Sequence, residues 1–301
     1  MDKALKIKQE RIYGLLILVT VIWGLKPVII KIGLLYMSSI QYNVFRMIFA
    51  AIGGWVTILT MKDFKPIEKV DLKLLTLISV FGFFVFQWFY GIGIGKTTSG
   101  NASIIMGTVP LMVIVMNHIF RIKRMSKIKM IGVAISLIGL CFTVASGGEV
   151  GQLKDNLIGM GYIFISAIGY SIYMVFSKSL TIKYSPRQIT TLAITITTVL
   201  IIIFSKFDLY IGGLNIVSIA TLIYTGIIAM FIGNFIWTWA IRRISSNNVA
   251  IFNNLTPVFS IVFGFIILNE RISIYQIIGA VIIFMGLYIS NYLNISRFIK
   301  K

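Results

Sequence analysis

The chain has 301 residues, of which 58% are hydrophobic and 12% charged, with a mean hydropathy of +0.94, whereas a soluble domain carries about a quarter charged residues. That balance excludes an ordinary soluble fold and defines an all-α integral membrane protein. The formal charge of +19 lies in short clusters between apolar runs, as loop charge does in membrane proteins, so no nucleic-acid partner is expected.

A hydrocarbon core about 30 Å thick needs about 20 residues of helix, and ten stretches of the chain meet that need. A basic tail, 1–12, precedes the first, 13–36, which is too long for a signal core and lacks a small-residue cleavage site, so it is read as a retained anchor. This span carries Trp23 and Lys26 on one face, with Pro27 beside them; the second, 40–60, carries Arg46. The third, 72–95, presents Gln87 and Tyr90 three residues apart, and the fourth, 99–120, contains Pro110 and ends near His118, the only histidine, read as an interfacial or packing residue. The fifth, 128–146, carries Gly132, Gly139 and the single cysteine, Cys141, which excludes an internal disulfide and has no companion for a metal site. After a short connection come 157–180 with Tyr170 and Tyr173, 188–205, and 215–241 with Asn234 and Trp237. The ninth, 247–268, carries Asn253 and Pro257, and the tenth, 273–293, carries Gly279 and Gly286 before the basic tail 294–301.

With ten spans, 21 Lys and Arg residues fall on the side that holds both termini and five on the other. By the positive-inside rule, both termini are cytoplasmic, in a multi-pass protein of the cell membrane. The chain also repeats itself at an offset of 147 residues: Lys31 matches Lys178, Gln41 matches Gln188, Pro110 matches Pro257, Ser126 matches Ser273, Gly132 matches Gly279 and Gly139 matches Gly286. Each repeat, 13–146 and 157–293, holds five spans, so the second must enter the membrane from the opposite side. Such inverted repeats are the architecture of many secondary transporters, with the binding site near the midplane between the halves.

All nine acidic residues fall in loops, tails or span ends. The predicted bilayer core therefore contains no carboxylate, which weighs against a buried proton-coupling acid and against an enzyme built on paired acids. No catalytic residue, metal ligand or cofactor is assigned. The exceptional charges are Lys26, roughly 14 Å from the outer end of its span, and Arg46, roughly 9 Å from that end, at about 1.5 Å per residue. A cation at such depth costs a few kcal/mol unless it reaches water, a carbonyl or an anion. Snorkelling to the headgroups competes with a cavity role for both, and a carbonyl or Glu270 competes with a ligand for Lys26. The repeat mates of Trp23 and Lys26 are Tyr170 and Tyr173; those of Gln87 and Tyr90 are Asn234 and Trp237. Matching polar or aromatic groups on four spans are read as lining a common cavity, with helix–helix packing as the alternative. Pro110 and Pro257, with Pro27, are read as bends or gates.

The motifs "WGLKPVIIKIGL", "TSGNASIIMGTVPLMVIV" and "SSNNVAIFNNLTPVFSIVFGFIILNER", with Arg46 early in the second span, resemble the EamA-type members of the drug/metabolite transporter superfamily over nearly the whole chain. The resemblance implies a carrier, exporter or exchanger of a small metabolite working by alternating access, with the lipid bilayer and a small-molecule substrate as partners and a homodimer as a further expectation. A substrate bearing a carboxylate or phosphate, such as an amino acid, fits Lys26. A channel or non-transporting sensor shares the helices, and a membrane enzyme is the least supported alternative. One departure stands out: Glu270 in "NER" occupies the place where the first repeat has Lys123.

Overall fold

The computed structural model describes residues 3–60, 64–122, 124–145, 153–210, 212–233, 236–237, 240, 252 and 255–292. Ten helical segments make up its main elements: α1 Lys3–Gly33, α2 Ser39–Leu59, α3 Lys69–Ile94, α4 Ser99–Ile119, α5 Lys127–Ala145, α6 Leu153–Lys183, α7 Pro186–Phe204, α8 Ile216–Ile232, α9 Leu255–Leu268 and α10 Ile274–Tyr292. Seven of them, α1 to α7, are long and apolar enough to cross a membrane, and the last three are shorter within the described residues. Among the described residues there is no β-strand. Helices are what lipid demands, because they satisfy their own backbone groups. Large apolar side chains such as Leu59, Phe81, Ile138, Phe265 and Tyr288 are exposed, a liability in water and an asset against acyl chains.

Local chemistry recurs with the period of the sequence. Ser38 starts α2 by accepting from the Gln41 N–H at 3.2 Å, and Ser185 starts α7 by accepting from the Gln188 N–H at 3.3 Å; each satisfies one donor the helix start leaves open. Two π-helical stretches, Ile78–Phe84 in α3 and Tyr224–Ile232 in α8, fall at corresponding places. Such wide turns are uncommon and concentrate at functional sites. In α4 the helix is interrupted at Thr108, whose hydroxyl donates to Ile105 O at 2.7 Å, and Pro110 opens the second half, where its missing N–H is not required. Helix α1, by contrast, remains helical through the buried Pro27. Pro257 lies in the first described turn of α9.

Packing follows the same symmetry. Helix α1 packs on α8 and α9, while α6 packs on α3 and α4; α2 meets α8 as α3 meets α7. Helices α5 and α10 pack on each other, with Gly132 against Gly286 and Gly139 against Gly279. A Cβ on Gly139 would stand 2.7 Å from Gly279 O, so the contact depends on the absence of side chains. Rising numbers on α5 face falling numbers on α10, so the two run antiparallel. Between them Ser136 donates to Ile283 O at 3.2 Å, a bond between positions 147 apart.

The polar ties sort to two ends. At one, Lys31 meets Glu270 at 2.6 Å and donates to Thr97 O at 3.0 Å, Gln41 donates to Asp208 at 2.9 Å, and Thr97 bonds Asn156. Lys96 and Asp155 meet there at 2.8 Å, and that hydrogen bond and charge hold the Lys96 ammonium above the usual lysine range. Both side chains are exposed, so water screens the pair and it adds little stability. At the other end Lys183 meets Asp71 at 3.0 Å, Tyr184 donates to Asp71 at 2.9 Å, and the Gln188 amide donates to Lys65 O.

Candidate functional site

Arg46 is 2% exposed, inside a membrane-length helix, and among the described residues it is held by neutral oxygens: its Nη2 donates to Asn43 Oδ1 at 2.6 Å and to Gln87 Oε1 at 2.8 Å. Asn43, one helical turn before Arg46, in turn donates to Gln87 O at 3.0 Å. Gly91 makes this closure possible, since a Cβ there would meet Asn43 Nδ2 at 2.8 Å. Asn43, Arg46 and Gln87 thus form one buried polar knot between α2 and α3. Among the described residues its charge meets no carboxylate.

Lys26 reaches the same place from α1. Its ammonium stands 5.3 Å from the centre of the Tyr90 ring, one turn beyond Gln87 on α3, a cation–π geometry. Glu270, the competing partner, is taken elsewhere: it accepts from Lys31, from the Ser99 N–H at 2.9 Å and from the Ser99 hydroxyl at 2.6 Å, capping the start of α4. Two cations therefore share one interior region.

Aromatic rings extend from this point in two directions. Toward the second repeat, Tyr90 contacts Phe86 at 5.9 Å, Phe86 contacts Tyr170 at 4.6 Å, Tyr170 stacks with Tyr173 at 6.3 Å, and Tyr173 meets Phe83 at 4.9 Å. Tyr173 shares a hydrogen bond with Thr190 at 3.2 Å. On the other side Trp23 and Trp237 lie 5.0 Å apart, and Trp237 packs against Ile12, Leu16 and Ala240. The Trp23 indole donates to Ala229 O at 2.9 Å, in the π-helical part of α8, so its polar edge is already occupied. Tyr224 returns the tie by donating to Ile22 O at 2.9 Å.

Trp23, Lys26, Arg46, Gln87, Tyr90, Tyr170, Tyr173 and Trp237 thus sit on α1, α2, α3, α6 and the residues after α8; Asn234 and Asn253 lie outside the described residues. Pro257 lies next to the α4 interruption, with its ring 3.5 Å from where a Cβ on Gly107 would stand. Pro27 is buried in α1 immediately after Lys26. Sequence reasoning passed over Asn43, Phe83 and Phe86. Their signal was helical spacing: Asn43 is three residues before Arg46, and Phe83 and Phe86 share a face with Gln87 and Tyr90. Among the described residues no cluster of His, Cys, Asp and Glu could hold a metal ion.

A duplicated bundle of apolar helices around interior cations and aromatics defines a polytopic membrane protein with an internal repeat. The chain belongs to the EamA-like transporter family, whose pattern matches twice, at residues 11–145 and 157–292, and so to the drug/metabolite transporter superfamily. It is similar to an "Uncharacterized transporter" of Archaeoglobus fulgidus, 26% identical over 274 residues that cover 91% of this chain and 96% of that protein. It is also similar to a "Probable amino-acid metabolite efflux pump" of Escherichia coli strain K12, 26% identical over 289 residues, 92% of this chain and 93% of that one. A solved crystal structure matches with a TM-score of 0.61 at 16% identity, covering 91% of this chain and 98% of the other, a likeness of fold. Family and relatives are transporters, not enzymes.

Proposed function

We propose that the protein is a secondary carrier that moves a small metabolite bearing a carboxylate or phosphate, such as an amino acid or related compound, across the cell membrane by alternating access, as an exporter or exchanger. The observation that carries the reading is the pair of interior cations: among the described residues Lys26 meets an aromatic face and Arg46 neutral oxygens. In a medium of low polarity a charge left without a counterion is costly, and a bound anion removes that cost. Lys26, with Arg46 as its helper, is the fixed cation, and the Trp23, Tyr90, Tyr170, Tyr173 and Trp237 rings offer a wall for the substrate body. Asn234, the repeat mate of Gln87, and Asn253, in the amide-rich ninth span, are assigned to the same cavity, and Pro27, Pro110 and Pro257 serve as its hinges.

The architecture behind this reading is ten spans in two inverted halves of five. Support comes from the antiparallel α5–α10 contact, the π-helical stretches at matching places and the exchange-symmetric packing. The relatives named as amino-acid metabolite efflux pumps favour an amino-acid-like cargo and outward direction. A thermal-shift screen of the purified protein against amino acids, sugar phosphates, nucleotides and amines tests the substrate class. Stabilisation by anionic or zwitterionic compounds is expected; stabilisation by amines alone would overturn the proposal.

A further inference from the structure

The buried knot at Arg46 is closed except at one atom. Gln87 is 0% exposed, and its Nε2 has no hydrogen-bond partner among the described residues. Amide ends are ordinarily interchangeable on paper, and the bonding around them decides which is which. Here the Arg46 guanidinium, a donor with no acceptor capacity, bonds the Gln87 oxygen at 2.8 Å. Rotating the amide would aim N–H at N–H, so the free end is the NH₂. Asn43 does not serve it: its Oδ1 faces Arg46, and its own amide donates to Gln87 O.

A buried donor left unmade is costly, and the two cations of this region, Arg46 and Lys26, cannot accept a hydrogen bond. Arg46 donates to the Gln87 oxygen, and Lys26 stands over the face of the Tyr90 ring. What is missing is an acceptor with negative charge. Resting on the carrier reading above, we propose that Gln87 is the specificity-determining residue of the site: its NH₂ group takes one oxygen of a substrate carboxylate while Lys26 takes the other. A carboxylate suits this pair because it presents two equivalent oxygens to one neutral donor and one ammonium. A primary amide of the same shape offers one acceptor and turns an N–H toward a donor, so it is refused. A neutral donor also discriminates more sharply than a cation, since it requires geometry as well as charge.

The test uses full-length purified protein and three probes of one aromatic body: benzoate, benzamide and phenyl phosphate, followed by thermal shift and by the fluorescence of Trp23 and Trp237. Benzoate is expected to stabilise the wild type and benzamide is not. Gln87→Glu supplies the missing anion from the protein itself, so it is expected to raise the melting temperature without ligand and to weaken benzoate at least tenfold. Gln87→Met is expected to weaken benzoate without that gain, and elution as a single folded species keeps either result interpretable. Unchanged benzoate binding in both Gln87 variants, with Lys26→Met still defective, would overturn the role of Gln87 and leave Lys26 standing. Benzoate binding indifferent to Lys26→Met would overturn the carrier-site reading and this inference with it. Phenyl phosphate binding in place of benzoate would overturn the carboxylate assignment.

Discussion

A lysine next to a proline inside a membrane helix needs a reason, and at Lys26 the reason is local. Its ammonium lies over the Tyr90 ring, beside a guanidinium fixed by Asn43 and Gln87. A ring face supports a cation by about 0.5–2 kcal/mol, less than the cost of holding it away from water, and the proposed anionic substrate would supply the rest. Lys26→Met should therefore weaken binding of the substrate about tenfold or more, ~1.4 kcal/mol, as read by tryptophan-fluorescence titration. Lys26→Arg should recover only part of it, because a planar fork does not replace a compact ammonium. Full affinity in Lys26→Met protein of normal yield would mean that the lysine is only snorkelling.

The residues of this site were legible in unequal degree. Lys26 and Arg46 stood out because charge is rare in apolar runs, and Gln87 and Tyr90 because the repeat drew attention to their spacing. Asn43 did not, since one amide near a helix start looks like any cap, and only the fold shows it turned toward Arg46. The partner of Glu270 was hidden for a different reason: pairing it with Lys31 requires knowing that α1, the start of α4 and the loop before α10 meet.

Elements set which parts can move. Pro110 and the Thr108 interruption divide α4 into two short helices joined by a few hydrogen bonds, and a break of this kind is a natural pivot. Pro110→Ala should rejoin them, raising the melting temperature while slowing turnover in reconstituted vesicles; unchanged turnover would mark the break as packing. Where Pro110 stands in a span could be read from the sequence, but whether a proline bends or breaks its helix could not. Helix α1 absorbs Pro27 and α4 does not absorb Pro110. The Glu270 carboxylate ties the end of α1 to the start of α4 through Lys31 and Ser99. Glu270→Gln removes the charge from both bonds. Spin labels at the exposed positions Leu35 and Ile272 should then show a broader or longer distance distribution than in the wild type, and an unchanged distribution would deny Glu270 a latching role.

At the scale of the whole molecule the duplication governs both fold and function. The 147-residue offset could be read from a handful of prolines, glycines and glutamines, and the same period returns in caps, in π-helical turns and in the Ser136–Ile283 bond. The α5–α10 contact was less visible, because glycine pairs are common in apolar helices and only geometry matches Gly132 with Gly286. Ten spans with cytoplasmic termini predict that a cysteine at Lys127 is modified only from the cytoplasmic side and one at Asp208 only from outside; the reverse for either would refute the topology. Two symmetric halves around a charged interior lead to the central claim, that one anion-binding cavity is offered to each side in turn. Counterflow in proteoliposomes tests it most directly: vesicles loaded with an unlabelled amino-acid mixture are diluted into trace labelled mixture. The account predicts saturable, transient accumulation of label by the wild type and strongly diminished accumulation by Lys26→Met at the same trace concentration. Linear, non-saturating entry, or equal counterflow by both proteins, would contradict it.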